Sequence, residues 1–182
     1  VRNVFIGEEA GSIGTTTSYS VGIGRESLKN ATGDNNTGVG YVALKGLTSG
    51  TENTAVGRSA MTGVVTGTYN SVLGYGAGGA ITSGSSNVAI GGIALDAITT
   101  SSDNTAVGHE ALTNATSGAG NTALGKGTMT AVVTGSDNTA VGRYALSANT
   151  SASNNVAVGI NALVANTTGA SNTAVGAETL AA

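Results

Sequence analysis

The chain contains no cysteine and no proline, and it has few aromatic or charged residues. Without Cys there is neither a disulfide framework nor a thiolate metal site, and without Pro every backbone amide is available for strand pairing. Charged residues make up 9% of the chain, against roughly 25% in an average soluble domain. The net charge is −3, and only seven residues are Lys or Arg. We therefore expect no nucleic-acid surface.

Glycine, by contrast, is abundant and regularly spaced. One glycine recurs every seventeen residues, with a single interval of sixteen. These repeat glycines are Gly7, Gly24, Gly40, Gly57, Gly74, Gly91, Gly108, Gly125, Gly142, Gly159 and Gly176. Because the repeat runs from end to end, we expect a single repeat domain, residues 1–182. The sequence begins at Val1 rather than Met and stops in mid-unit, so we expect an excerpt of a longer fibre protein. A short fixed period is typical of a solenoid, in which each unit buries its apolar side against its neighbours.

Other positions of the unit are equally regular. The residue before each repeat glycine is always aliphatic, and we call this set the aliphatic column: Ile6, Ile23, Val39, Val56, Leu73, Ile90, Val107, Leu124, Val141, Val158 and Val175. Four positions before the glycine stands the asparagine column: Asn3, Asn36, Asn53, Asn70, Asn87, Asn104, Asn121, Asn138, Asn155 and Asn172, with Ser20 as the exception. Four positions after the glycine stands Leu or Met, except at Gly11 and Gly78.

These spacings predict an all-β fold, a parallel β-solenoid (β-roll) of eleven 17-residue coils. Seventeen residues accommodate two short strands and two turns, whereas two helices need more. We expect the aliphatic column inside the coil, and Asn, Ala and Gly on the opposite face. A further apolar position is expected to form the second wall: Leu47, Val64, Ile81, Ile98 and Val132.

Stacking the coils would bring identical residues into ladders. The asparagine column is expected to hydrogen-bond from coil to coil, and the repeat glycines to supply either a positive φ or room for close backbone approach. Both strand faces lack charge, and a sheet without a charged face needs cover on both sides. We therefore expect the chain to associate with copies of itself through its Ala/Gly face.

The motif Asn-x-Ala-Val-Gly, with close variants at 20–24 and 87–91, resembles the YadA-like head repeats of trimeric autotransporter adhesins over the whole chain. This resemblance implies a left-handed β-roll, a homotrimer around a threefold axis, and an extracellular fibre that attaches to surfaces. The array is also similar to the repetitive shafts of phage tail fibres, particularly at 162–163 and 167–169. The period of seventeen is longer than that of the adhesins and favours the phage-fibre interpretation.

One segment satisfies the dinucleotide fingerprint G-x-G-x-x-G. It runs from Gly74 to Gly79, and Asp96 follows at about the distance of a ribose-binding acid. The fingerprint requires a helix after the glycines, but a polar turn sequence follows here, and Gly74 is the repeat glycine. We expect no bound cofactor.

A second candidate centres on His109, the only histidine, beside Glu110 and near Asp103. A nucleophilic triad needs a Ser that the histidine activates, and a metal site needs further ligands. Neither is visible, and other units place Arg or Lys where His109 stands. We expect no catalytic residue and no metal.

Charged residues fall on two stripes along the rod. The first stripe lies one or two positions after the repeat glycine and holds Glu8, Glu9, Arg25, Glu26, Arg58, His109, Glu110, Lys126, Arg143 and Glu178, together with Tyr41, Tyr75 and Tyr144. The second lies just before the asparagine column and holds Glu52, Asp103 and Asp137, with Tyr19 and Tyr69. Mixed signs suit a solvated edge that opposes aggregation. A surface that contacts a receptor, such as a cell-surface glycan or protein, is the alternative.

Taken together, the sequence predicts a non-enzymatic, trimeric fibre segment of a phage tail fibre or similar host-attachment appendage, exposed on a virion or a bacterial surface. The head of a bacterial adhesin is the alternative within the same fold. An ice-binding or architectural extracellular filament is more remote, because the threonine column three positions before the glycine is interrupted by Val4, Val21, Val88 and Val156.

Overall fold

The computed structural model describes residues 2–13, 17–131 and 133–181, which form an all-β parallel solenoid. Eleven strands pair in chain order, one for each repeat unit, in a single sheet. They are β1 (Val4–Ile6), β2 (Val21–Ile23), β3 (Thr37–Val39), β4 (Thr54–Val56), β5 (Ser71–Leu73), β6 (Val88–Ile90), β7 (Thr105–Val107), β8 (Thr122–Leu124), β9 (Thr139–Val141), β10 (Val156–Val158) and β11 (Thr173–Val175). Equivalent residues stand side by side, as Thr105 does with Thr122. The predicted all-β parallel β-solenoid is thus confirmed.

Among the residues that the structure describes, each coil has one strand, so the prediction of a second strand in each coil is wrong. After the repeat glycine the chain turns instead, with positive φ at the second and fourth residues, for example 56° at Glu26 and 52° at Leu28. A strand would run straight, whereas this alternation bends the chain back toward the sheet. Some units place glycine at these positions, as at Gly76 and Gly78. Those glycines are the signal in the sequence for left-handed backbone.

The predicted assignment of the strand faces is also wrong. The middle residue of each strand points into the coil, so Ala55, Ala106 and Ala140 are fully buried. The aliphatic column points outward: Val107 is only half-buried, and Val175 is 68% exposed. The reason is the narrowness of the coil. Leu or Met from the turn already fills the interior, which leaves room opposite for little more than a methyl group.

Two units have glycine instead of Leu or Met four positions after the repeat glycine, and the size of the strand residue that points into the coil explains both. Phe5 replaces the inner Ala of the first coil, and a side chain at Gly11 would collide with its ring. In the fifth coil, Val72 replaces Ala, and a Cβ at Gly78 would lie 2.9 Å from the Cδ1 of Ile81 and 3.2 Å from a Val72 methyl group. Ile98 is the equivalent of Ile81 in the next coil and is buried there beside Leu95, so Val72 is the residue that differs. A large residue on the strand therefore accompanies glycine on the turn. The two positions share one volume inside the coil.

The second wall of the coil is apolar, as predicted, but in one unit the buried residue is the one after the predicted residue. Leu47, Ile81 and Ile98 are fully buried, as expected. The prediction that Val64 is a wall residue is wrong, since Val64 is 63% exposed and its neighbour Val65 is buried instead. In that unit one more residue precedes the buried position, so the side chain that points inward is the next one along the chain. The expected wall residue Val132 lies outside the described residues, and Val133 is buried.

The asparagine column forms a continuous buried ladder from Asn36 to Asn155. The Oδ1 of Asn53 accepts hydrogen bonds from the backbone N–H of Asn70, at 3.0 Å, and from its Nδ2, also at 3.0 Å. The Nδ2 of Asn70 also donates to the carbonyl of Gly84 in the next coil, at 2.9 Å. Ser20 fills the exceptional place, where its Oγ accepts from the backbone N–H of Asn36 at 3.1 Å. The ladder ties the corner of each coil to its neighbours.

The repeat glycines serve both roles that the sequence allows. Gly108 has a φ of 135°, a backbone region that L side chains rarely adopt. A Cβ there would also stand 2.6 Å from the carbonyl carbon of Gly125 in the next coil. Positive φ and close backbone stacking therefore both require glycine at the end of each strand.

Candidate functional site

The outer face of the sheet is an uncharged surface that runs along the rod. It carries the aliphatic column and, two residues earlier on each strand, a column of Thr, Ser and Val. Several aliphatic side chains are well exposed, among them Ile6, Leu73 and Leu124. With strands ~4.8 Å apart, the face extends over about 50 Å. An exposed apolar stripe of this length indicates an interaction surface.

The residue directly after each repeat glycine forms a second surface, which we call the corner column. Its members are Glu8, Arg25, Tyr41, Arg58, Tyr75, Gly92, His109, Lys126, Arg143, Ile160 and Ala177. Because each begins the turn that follows the strand, the column lies along one edge of the outer face. It belongs to the first charged stripe predicted from the sequence.

Arginine and tyrosine alternate in the first half of the corner column. The guanidinium of Arg25 lies 5.9 Å from the ring centroid of Tyr41, and that of Arg58 lies 5.9 Å from Tyr41 and 5.6 Å from Tyr75. These distances are within the range of cation–π attraction. Below them, Glu8 and Arg25 form an ion pair at 3.1 Å. The sequence predicts these residues on one stripe, and their alternation becomes visible only when the units are aligned on the repeat glycine.

Four charges beside the column form a compact group. Glu26 accepts a hydrogen bond from Lys45, which is the main reason that the pKa of Glu26 lies below its ordinary value. The hydrogen bond from Lys29 to Glu9 raises the pKa of Lys29. Opposite charges thus pair across neighbouring coils. This part of the first stripe is a set of mutually neutralising surface ion pairs.

His109 and Glu110 are neighbours, with the Nδ1 of His109 3.6 Å from a carboxylate oxygen of Glu110. Both side chains are well exposed to solvent. Within residues 2–13, 17–131 and 133–181, no hydrogen bond or ion pair links the side chain of Asp103 to either of them. Over those same ranges, no group of three His, Cys, Asp or Glu residues is placed to hold a metal ion.

The glycine-rich segment at 74–79 forms a turn of the solenoid. Burial raises the pKa of Asp96, and a hydrogen bond from the backbone of Gly79 partly offsets that rise. Asp96 therefore interacts with the glycine segment, as its position on the next coil dictates. The described segment does not continue into a helix that could hold a pyrophosphate.

The second stripe stands out through its backbone conformation. Its members have positive φ, for example 58° at Glu52 and 63° at Asp103. Tyr19 and Tyr69 share this position and are exposed. Positive φ is uncommon outside Gly, Asn and Asp. This stripe marks a tight turn before each asparagine of the ladder.

One open cavity, of about 230 Å³, adjoins the second half of the corner column. It is lined by Ile93, Glu110, Thr113, Asn114, Thr130 and Tyr144. The guanidinium of Arg143 lies 5.5 Å from the Tyr144 ring centroid. Hydroxyl, amide and aromatic groups therefore meet here at the surface of the rod.

Comparison with protein-family models, with curated proteins and with solved structures gives no significant match. The part of the chain that the structure describes has no helix of the length and apolar character needed to cross a membrane.

Proposed function

We propose that the chain is a rigid segment of an extracellular attachment fibre, of the kind found in phage tail fibres. It acts as a spacer and as a surface-binding rod, without enzymatic activity, on a virion or bacterial surface. The observation that carries this proposal is the aliphatic column, which runs along the outer sheet face in every described coil. A long straight apolar stripe suits parallel association with identical rods.

Association in threes is the arrangement that we propose. Three copies around a common axis would bury their aliphatic columns together at the centre. The corner columns would then lie along the outer edges, open to solvent. The prediction that the Ala/Gly face meets the partner is wrong, because the alanine side chains of that face are buried inside the coil.

The mass of the protein in solution tests the assembly. One chain has a mass of 17.4 kDa, so a trimer has 3 × 17.4 = 52.2 kDa. We expect light scattering at micromolar concentration to give the trimer mass. A mass of one chain would contradict the proposal.

The head of a bacterial trimeric adhesin remains the alternative within this fold. The Asn-x-Ala-Val-Gly repeat supports it as well as the phage fibre. The genes differ in what they encode next to the repeats: a membrane-anchor barrel for an adhesin, and a baseplate-binding or chaperone domain for a tail fibre. Sequencing the gene on both sides of this segment distinguishes them.

Ice binding has one observation in its favour. A threonine column at the turn is unbroken through nine coils: Thr32, Thr48, Thr66, Thr82, Thr99, Thr116, Thr134, Thr150 and Thr167. Several of these hydroxyls donate to the carbonyl of the next coil, as Thr82 does to Thr99 at 2.9 Å. This column is distinct from the one three positions before the repeat glycine, which valines interrupt. Thermal hysteresis in a freezing assay would favour this function, and its absence would eliminate it.

A further inference from the structure

The corner column is positively charged in a chain that is negative overall. From Arg25 to Arg143 it contains no carboxylate. It holds four of the seven Lys and Arg residues, together with the only histidine, although the net charge is −3. Neither chance nor a need for solubility explains why the cations stand at the same position of the repeat unit.

The stability of the rod does not account for this arrangement either. Stacked columns are most stable when opposite charges alternate, as they do at Glu8 and Arg25. Lys126 and Arg143 instead occupy successive coils, ~4.8 Å apart, where like charges repel. Among the described residues, no carboxylate lies within 4.0 Å of Arg58. The same holds for Lys126 and Arg143, whereas Arg25 is paired with Glu8. Arg58, Lys126 and Arg143 therefore have charge available for an external anion.

The tyrosines hold Arg58 in position. Its guanidinium lies between Tyr41 and Tyr75, within 5.9 Å of both ring centroids. Tyr41 is 45% and Tyr75 59% exposed, so the rings keep solvent-accessible surface. A guanidinium presented in this way offers paired N–H donors to a carboxylate or sulfate group. The rings offer apolar surface and a hydroxyl to the remainder of a ligand.

We propose that the corner column binds a linear anionic polysaccharide that lies along the rod. Sugar rings would pack on the tyrosines, and their acidic groups would bind the cations. From Arg25 to Arg143 the column spans seven coil steps, or roughly 34 Å, which suits an extended chain rather than a compact ligand. This inference rests on the proposed attachment function and names the class of surface molecule that the fibre contacts.

The observations favour a polysaccharide over a nucleic acid. Nucleic-acid surfaces cluster many Lys and Arg residues on a basic domain, whereas this column is a single file on a chain with a pI of about 4.9. A single row of cations suits a polymer that carries one acidic group on each sugar or on every few sugars. The identity of the acidic group, carboxylate or sulfate, is left for the experiment to decide.

The experiment measures binding of the full chain to immobilised polymers at low and high salt. Polygalacturonate supplies carboxylates, heparin supplies sulfates, dextran is the neutral control, and poly(dT) tests nucleic acid. We expect one or both acidic polysaccharides to bind, with affinity falling as salt rises. Arg58→Gln should weaken binding about tenfold, since it removes a charge-assisted contact. Tyr41→Leu should weaken it severalfold.

Lys45→Gln is the matched control, because it removes the same charge from a residue that pairs with Glu26 outside the column. It should leave binding within about twofold, on the same scale of affinity. The melting temperature of each variant is measured in parallel. If Arg58→Gln fails to fold, the Tyr41→Leu result decides.

Four results would overturn the inference: no binding of either acidic polysaccharide, equal binding of dextran, binding of poly(dT) at least as tight, or equal losses in the column variants and Lys45→Gln. Light scattering on the same samples separates this inference from the proposed function. Selective binding by a single-chain species would contradict the trimer and keep the polysaccharide site. A trimer that binds no polysaccharide would do the reverse.

Discussion

The shared volume of Val72 and Gly78 predicts that two destabilising changes rescue each other. Gly78→Leu alone inserts a large side chain against the Val72 methyl groups, and overpacking of this kind costs about 1–3 kcal/mol. Val72→Ala alone removes two buried carbons, worth about 0.8 kcal/mol each before the added cost of the cavity. The separate losses would add to about 4 kcal/mol if the positions were independent.

Together, the two substitutions recreate the arrangement of the next coil, where Ala89 faces Leu95 and both are fully buried. The backbone already suits leucine, since φ is 58° at Gly78 and 55° at Leu95. We therefore expect the double variant to lie within about 1 kcal/mol of the unsubstituted chain, a coupling of about 3 kcal/mol.

Urea unfolding of all four proteins, followed by circular dichroism at one protein concentration, measures this coupling. Additive losses would refute the argument that one volume is shared. A stable Gly78→Leu single variant would refute it as well, because the collision with Val72 would then be absent.

Three further predictions concern the ladder, the turn and pH. Asn70→Ala should cost about 3 kcal/mol in urea unfolding, because it leaves the buried backbone N–H of Asn87 unpaired; Asn70→Ser should cost clearly less, and equal costs would contradict this. Glu52→Asn should raise the free energy of unfolding by about 0.5 kcal/mol, and with it the melting temperature, since asparagine tolerates positive φ better than glutamate does. The control Glu52→Gln should leave the melting temperature unchanged. Because burial raises the folded-state pKa of Asp96, stability should fall as pH rises above its ordinary value of ~3.9. Asp96→Asn should therefore stabilise the chain at pH 7 but not at pH 3, and equal effects at both would contradict the assignment.

The period and the residue types were sufficient to predict the solenoid. A glycine and an asparagine repeated at constant spacing leave few folds other than stacked coils, and stacking identical units brings identical residues together. The inner and outer faces could not be derived in the same way. Alternation along a strand defines two faces, but which face is inside depends on how much space the turn residues occupy.

Hydrophobicity suggested that Val107 would be buried and Ala106 would face outward, and the opposite is found. The turn contributes a Leu or Met to the interior because its backbone has positive φ at a residue such as Leu112. Propensity rules disfavour that conformation for leucine, so the sequence gives little warning of it. The paired exceptions at Gly11 and Gly78 are a signal of which face lies inside, since each accompanies a larger strand residue.

The corner column could be found only in part from the sequence. Its charges and tyrosines were assigned to one stripe, but the stripe combined two positions of the unit. Residues one and two positions after the glycine differ in their neighbours: Arg58 stacks between tyrosines, while Glu26 pairs with lysines. Those contacts depend on which side chains adjoin in successive coils.

The aliphatic column faces outward, and we propose that it joins copies of the chain. The direct measurement compares Val107→Asp combined with Val141→Asp against Ala106→Asp, using light scattering and circular dichroism on the same samples. We predict that the outward pair gives a folded single chain of 17.4 kDa, because charges in the proposed interface oppose association but not the fold. Ala106→Asp should unfold the rod, since an unpaired buried charge costs several kcal/mol. A folded Ala106→Asp variant beside an unfolded Val107→Asp/Val141→Asp variant would contradict the account.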